Sequence, residues 1–76
     1  MEEISIESIF GVSAGIVWEA LNENGPSTIA DLAKTTSLSR EEVHGALGWL
    51  GRENKISVKM GESGRGKRAL VFSLQP

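Results

Sequence analysis

The stretch STIADLAKTTSLSREEVHGALGWLGRENKISVKM, residues 27–60, contains the signals that decide the fold. It pairs a Thr with an Asp three residues later, and further along a Ser with a Glu at the same spacing. Both pairs have the pattern of a capping box, in which two side chains satisfy backbone N–H groups at the start of a helix. They predict helices over residues 28–36 and 39–54, separated by a short turn. Apolar and polar residues then alternate, which indicates a strand over residues 56–60.

A further helix and a second strand are predicted on either side of this stretch. Four apolar residues recur at helical spacing upstream of it: Ala14, Val17, Ala20 and Leu21. They predict a helix over residues 13–24, with Ser13 as its N-cap. Gly25 and Pro26 are a typical helix end. Downstream, alternation over residues 70–74 indicates a strand that returns along the first one, so the two form a hairpin.

The first twelve residues are predicted to form an apolar arm, with the folded domain at residues 13–76. The arm contains several large apolar side chains, Ile4, Ile6, Ile9 and Phe10 among them. Their spacing is typical of neither a helix nor a strand. Two arrangements remain open: the arm packs on its own domain, or it is exchanged with a second subunit.

The composition of the 76 residues excludes several classes of protein. There is no Cys and no Tyr, and His44 is the single histidine. A chain with these counts can form no disulfide and no thiolate metal site, and it lacks the residues of most catalytic sites. We therefore expect no enzyme activity, no metal and no cofactor. No apolar run approaches the roughly 20 residues of a membrane span, and the N-terminus lacks the pattern of a secretory signal. We therefore expect a cytoplasmic protein, and no small-molecule ligand is evident.

The charge is divided unevenly along the chain. Residues 1–31 hold six of the ten carboxylates and no Lys or Arg, whereas residues 32–76 hold all eight basic residues. Such asymmetry is typical of a protein with one basic, partner-facing side. The overall net charge of −2 is nevertheless not that of a dedicated nucleic-acid binder.

The order of three helices followed by a hairpin is an α+β arrangement that resembles the winged helix-turn-helix superfamily. The resemblance covers residues 13–76 and is carried by the stretch quoted above and by the return strand RALVFSL, residues 68–74. The segments AGIVWEALNENG and ALGWLGRENKI are also similar to a family of very small prokaryotic winged-helix proteins. The superfamily resemblance implies binding of double-stranded DNA, with the third helix in the major groove and the hairpin, or wing, on the backbone or minor groove. The narrower resemblance implies a fold and not a role.

Two sets of residues are candidates for contact with DNA. The third helix offers Ser39, Arg40, His44 and Arg52, and the wing offers Lys59, Arg65, Lys67 and Arg68. The cations suit phosphate, whereas the remaining outer positions of the helix carry carboxylates or glycine, which offer little base readout. Alternatively, the wing cations are solvated side chains that keep the edge of the hairpin soluble.

Gly45, Gly48 and Gly51 recur every third residue along the third helix, beside Trp49. Each glycine weakens a helix by about 1 kcal/mol relative to Ala, so the strip suggests a compensating contact. Three explanations are open: a protein interface that uses the strip and Trp49, Trp49 folded over its own hairpin, or close approach of a DNA backbone.

The sequence thus predicts a small DNA-binding module of transcriptional-regulator type that forms a homodimer. The dimer would use the arm or the strip on the third helix. The rival prediction is a winged helix that binds protein and not DNA, and a third is an adaptor within a larger nucleic-acid complex.

Overall fold

The computed structural model describes residues 2–62 and 66–76. A π-helical turn, Glu7–Gly11, leads directly into helix α1, Val12–Asn24. Helices α2 and α3 follow at Ile29–Thr36 and Arg40–Arg52, and strands β1 and β2 at Ile56–Glu62 and Arg68–Leu74. Three helices followed by a two-stranded antiparallel hairpin confirm the predicted winged helix-turn-helix architecture.

Helices α2 and α3 begin where the capping boxes place them. In the first box the Thr28 side chain accepts from the backbone N–H of Asp31, and the Asp31 side chain accepts from the backbone N–H of Thr28. Ser39 and Glu42 make the same two hydrogen bonds in the second box. The turn between the helices passes through Ser37, which has a left-handed backbone with φ of 63°. Many such turns use glycine at this point, because glycine adopts this conformation without steric cost. Leu38 then packs against the core from within the turn, as predicted.

Helix α1 differs from the prediction at its N-terminal end. Ser13 is not an N-cap: it is 6% exposed and lies within a continuous helical segment that already begins upstream. The Ser5 hydroxyl accepts from the backbone N–H of Ser8 at 3.1 Å at that earlier start. The later part of the predicted arm, from Glu7 onward, is therefore a helical extension of α1. At the other end, Gly25 has a positive φ of 76° and its N–H donates to Leu21, as expected of a helix C-terminus.

The hairpin pairs β1 with β2 over their whole lengths, from Ile56 opposite Leu74 to Glu62 opposite Arg68. Ser27, before α2, adds a short third segment by exchanging two backbone hydrogen bonds with Phe72, at 2.8 and 2.9 Å. This bridge ties the helix-turn-helix to the wing, so the wing has a fixed base.

The core lies between the three helices and the base of the hairpin. Its buried apolar members are Ala14, Val17, Leu21, Leu32, Val43, Ala46, Leu47, Leu50, Ile56 and Phe72. Every predicted apolar stripe thus contributes to one core. Within the described part of the chain, no helix has the length and apolar character needed to cross a membrane.

Candidate nucleic-acid interface

The first turn of α3 is occupied by its own capping box. The backbone N–H of Ser39 donates to the Glu42 carboxylate at 2.9 Å, and the Glu42 N–H donates to the Ser39 hydroxyl at 3.1 Å. The hydrogen bond from the Ser39 backbone, followed by that with its side chain, holds the pKa of Glu42 below its usual value. A phosphate that reaches Ser39 therefore competes with an ionised carboxylate for the same donors.

His44 lies one turn further along α3 with a defined ring orientation. Its Nδ1 is 2.7 Å from the backbone carbonyl oxygen of Arg40. Because a carbonyl oxygen only accepts, Nδ1 carries the proton. In the neutral ring Nε2 is then an acceptor, suited to an exocyclic amine of adenine or cytosine rather than to phosphate.

The remaining outer face of α3 is open and carries little to read bases with. Its exposed residues are Arg40, Glu41, Gly48, Gly51 and Arg52. A methyl group built on Gly48 or Gly51 would meet no atom within 4 Å, so bare backbone is presented there. Arg52 lies about 18 Å along the helix axis from Arg40, so the two contact the same duplex only at separated phosphates.

The structure brings Arg40 next to the wing. Arg40, Ala69 and Leu70 line one cavity of about 300 Å³, whose other wall is the start of α2. The cavity lies between Arg40, in the first turn of α3, and Ala69 and Leu70, which follow Arg68 at the start of β2. Arg40 and the start of β2 therefore face the same open space.

The wing carries exposed cations on both strands. Lys59 lies on β1 opposite Val71, and Arg68 lies on β2 opposite Glu62. Lys67 precedes β2 and is exposed, like both of these cations. Arg65, also predicted as a wing contact, falls outside the described residues. Between described residues, the single ion pair within 4.0 Å joins Lys55 to Glu53. Arg68 nevertheless has Glu62 as its cross-strand neighbour, and Lys59 lies on the opposite face of the hairpin from Arg68 because side chains alternate along a strand.

Some of the predicted interface residues make contacts within their own domain, and others do not. Phe10 packs over Gly45 of its own α3, where a methyl group would overlap the ring. Trp49 lies beside Gly11, since a methyl group there would be 3.8 Å from the Trp49 ring. Part of the arm thus packs on its own domain, and Gly45 is accounted for by an internal contact, whereas Gly48 is not.

Large apolar side chains are exposed at two places. In the N-terminal segment they are Ile4, which precedes the helix, and Ile6, Ile9, Val12 and Ile16, with 41–65% of each residue exposed. On the wing they are Val58, Met60 and Leu70, with 45–51% exposed. The wing residues continue the core-facing side of the hairpin beyond the helices, because Val58 lies opposite the buried Phe72 and Met60 opposite Leu70.

One feature of the structure was not predicted from the sequence. Both Trp18 and Trp49 line a cavity of about 300 Å³ between α1 and the end of α3. The signal that was available is the spacing of Gly11, Gly15 and Trp18 on α1, which leaves a bare strip of helix next to an indole.

The fold and this surface define a small winged helix-turn-helix domain. The chain belongs to the family described as winged helix-turn-helix domain (DUF2582), whose model matches residues 1–72. That match includes the N-terminal helical extension as well as the domain proper.

Solved structures agree with this assignment. The chain is 36% identical to protein BT2368 from Bacteroides thetaiotaomicron, with a TM-score of 0.77, covering 92% of this chain and 79% of that one. It is 27% identical to NMB1585, a MarR family regulator from Neisseria meningitidis, with a TM-score of 0.67, covering 83% of this chain and 43% of that one. The Zalpha domain of Carassius auratus PKZ, solved in complex with Z-DNA, has the same fold at 22% identity and a TM-score of 0.68, covering 86% and 95% of the two chains. A search of curated proteins found no match.

Proposed function

We propose that this chain is a DNA-binding module of transcriptional-regulator type that binds the duplex mainly through phosphates. The observation that carries the proposal is the set of exposed cations at the start of α3 and on the wing, Arg40, Lys59, Lys67 and Arg68, none of which has a carboxylate within 4.0 Å among the described residues. Cations on a wing and at the start of the third helix are groups that contact phosphates when a winged helix docks on a groove. The fold similarity to a MarR family regulator supports the same reading.

The mechanism we propose is phosphate anchoring with limited base readout. Each cation that contacts a phosphate releases a counterion, so log K falls with log salt by about 0.9 per contact. Four such cations predict a slope of about −3 to −4. The outward acceptors on α3 that suit a base edge are His44 Nε2 and the Glu41 carboxylate, and the carboxylate also repels phosphate, so sequence preference is weak.

We further propose that the module acts as a homodimer formed through the exposed apolar face of the N-terminal helix. Val12 and Ile16 are one α-helical turn apart and share a face, and Ile9 lies in the π-helical turn that leads directly into this helix. All three are at least 41% exposed. A two-fold contact along this face leaves α3 and the wing of both subunits free for DNA.

A salt titration tests the DNA proposal. Binding of a labelled mixed-sequence duplex of about two helical turns is measured by fluorescence anisotropy at several salt concentrations. We expect Arg40→Gln and Arg68→Gln each to weaken binding and to reduce the magnitude of the slope by about 1. The matched control is Lys55→Gln, which removes the same charge at a residue paired with Glu53 and lining the cavity between α1 and α3.

The control decides the interpretation. If Lys55→Gln weakens binding as much as the two arginine variants, binding follows net charge and the proposed surface is wrong. If the unmodified protein produces no anisotropy change at near-millimolar concentration and low salt, DNA binding itself is wrong.

A second candidate function is a winged helix that binds protein. It is favoured by Val58, Met60 and Leu70, which expose apolar surface on the wing where a DNA contact needs polar groups. It is also favoured by Glu41 on the outer face of α3, since a carboxylate repels phosphate. A silent DNA titration, together with amide shifts at these wing residues on addition of a partner, is the result this candidate predicts.

A further inference from the structure

A cleft between α1 and the end of α3 lies apart from the proposed DNA surface. Its volume is about 300 Å³, and its walls include Trp18 from α1 and Trp49 from α3. The two are the only tryptophans in the chain and half of its aromatic residues. Both side chains are half-buried, so each indole packs on the core and still lines the open space.

The floor of the cleft is the backbone of α1 at Gly15. A methyl group at this position would meet no atom within 4 Å, so nothing in the fold requires glycine there. Glycine is one of the least favourable residues inside a helix, and Ala fits this space without a clash. The absence of a side chain at Gly15 leaves this part of the cleft open.

The polar groups around the cleft are mostly acidic. Glu19 and Glu53 line it together with one cation, Lys55, whose Nζ is 4.0 Å from Glu53 Oε1. That distance is at the outer limit of an ion pair and both side chains are exposed, so Glu53 remains available for exchange. Among described residues, Glu19 has no cation within 4.0 Å.

We propose that this cleft binds a guanidinium group. A guanidinium is planar and stacks on an indole face, and its fork of N–H donors pairs with carboxylates in a bidentate manner. Two indoles and two carboxylates around one small space match those requirements together. The volume lies at the lower end of ligand sites, so it suits one such group and not an extended ligand.

The chain supplies its own reporter for this site. Because it has two Trp and no Tyr, and both Trp line the cleft, intrinsic fluorescence reads this one place. The probes are L-arginine amide and L-citrulline amide, which differ in carrying a guanidinium or a neutral urea. We expect a saturable fluorescence change with arginine amide and at least about tenfold weaker binding of citrulline amide.

Variants connect the signal to the residues. Glu19→Gln combined with Glu53→Gln is expected to weaken arginine amide about tenfold. Glu23→Gln, which removes a charge from the same helix outside the cleft, is expected to leave the affinity unchanged. Gly15→Leu is expected to abolish binding by filling the space, with helix content by circular dichroism as the check that the fold is retained.

The outcomes are distinct. Equal affinity for the arginine and citrulline probes, no saturable change with either, or an unchanged affinity in the Glu19→Gln and Glu53→Gln protein overturns the proposal. Tighter binding of a Gly-Arg-Gly peptide than of free arginine amide supports the proposal and indicates that the guanidinium belongs to an arginine side chain of a protein. Equal binding of the two supports the proposal and indicates that the guanidinium belongs to a small molecule. None of these readings depends on DNA binding.

Discussion

At the scale of single residues, the start of α3 shows how a local signal fixes both structure and charge. Ser39 and Glu42 satisfy each other's backbone N–H groups, and the same hydrogen bonds lower the pKa of Glu42. The charge that defines the helix start is a carboxylate held in its ionised form. The first turn of α3 is therefore stabilised by a group that disfavours phosphate, and the cations that attract phosphate lie around it.

This coupling predicts a pH dependence of stability. Because the folded pKa of Glu42 is lowered, its ionised form stabilises the fold above the unfolded pKa of about 4.3, and this contribution is lost as pH falls through the folded value. Glu42→Gln is expected to lower the urea midpoint at pH 7, and the difference from the unmodified protein is expected to shrink as pH falls below about 4. A difference that stays constant over this range contradicts the assignment.

At the scale of elements, the glycines of α3 divide by what packs on them. Phe10 covers Gly45, whereas a methyl group on Gly48 would meet no atom within 4 Å. The helical extension before α1 therefore docks on α3 through one aromatic ring and one missing side chain. This contact makes the extension part of the domain. The extension occupies one side of α3, and Arg40 at the start of α3 faces the wing across a cavity.

The contact predicts opposite effects of two like substitutions. Gly48→Ala is expected to raise the free energy of unfolding by up to about 1 kcal/mol, because Ala is the better helix former. Gly45→Ala is expected not to raise the free energy of unfolding, because its methyl group overlaps the Phe10 ring. In a Phe10→Ala background the gain at Gly45 should return. Urea denaturation at one fixed protein concentration compares the unmodified protein with the two glycine variants, Phe10→Ala and the double variant. Equal stabilisation by both glycine variants in the unmodified background would refute the contact.

How far the sequence predicts these elements depends on the range of the interactions involved. The starts of α2 and α3 and the pairing of the hairpin follow from capping boxes and alternation, which act over a few residues. The start of α1 does not, since a π-helical turn shifts the periodicity, and Ser13 is an internal residue despite being a good N-cap. The candidate cations were identified by type alone. The cavity shared by Arg40 and β2, and the shared cleft of Trp18 and Trp49, arise from the packing of distant segments.

At the scale of the whole molecule, the acidic and basic halves of the sequence serve different surfaces. The chain is elongated, with extents of 45 × 26 × 19 Å. The N-terminal helical extension and α1 carry carboxylates and no Lys or Arg, and they also expose the longest apolar face. Among the described cations, Lys34 lies on α2 and Lys55 between α3 and β1, and the others lie on α3 and the wing. Dimerisation through α1 and DNA binding through the wing are therefore compatible in one assembly.

The proposed dimer predicts which substitutions separate the subunits. Ile9→Glu and Ile16→Glu place a charge on the shared apolar face, where two-fold symmetry brings each new carboxylate close to its copy, so both are expected to give monomers in size-exclusion chromatography with light scattering. Val58→Glu is the matched control, because it adds the same charge at a residue of similar exposure on the wing. Gly48→Arg tests the alternative interface on α3. A dimer that survives both isoleucine substitutions and is lost with Gly48→Arg assigns the interface to α3, and the duplex would then be excluded from that helix.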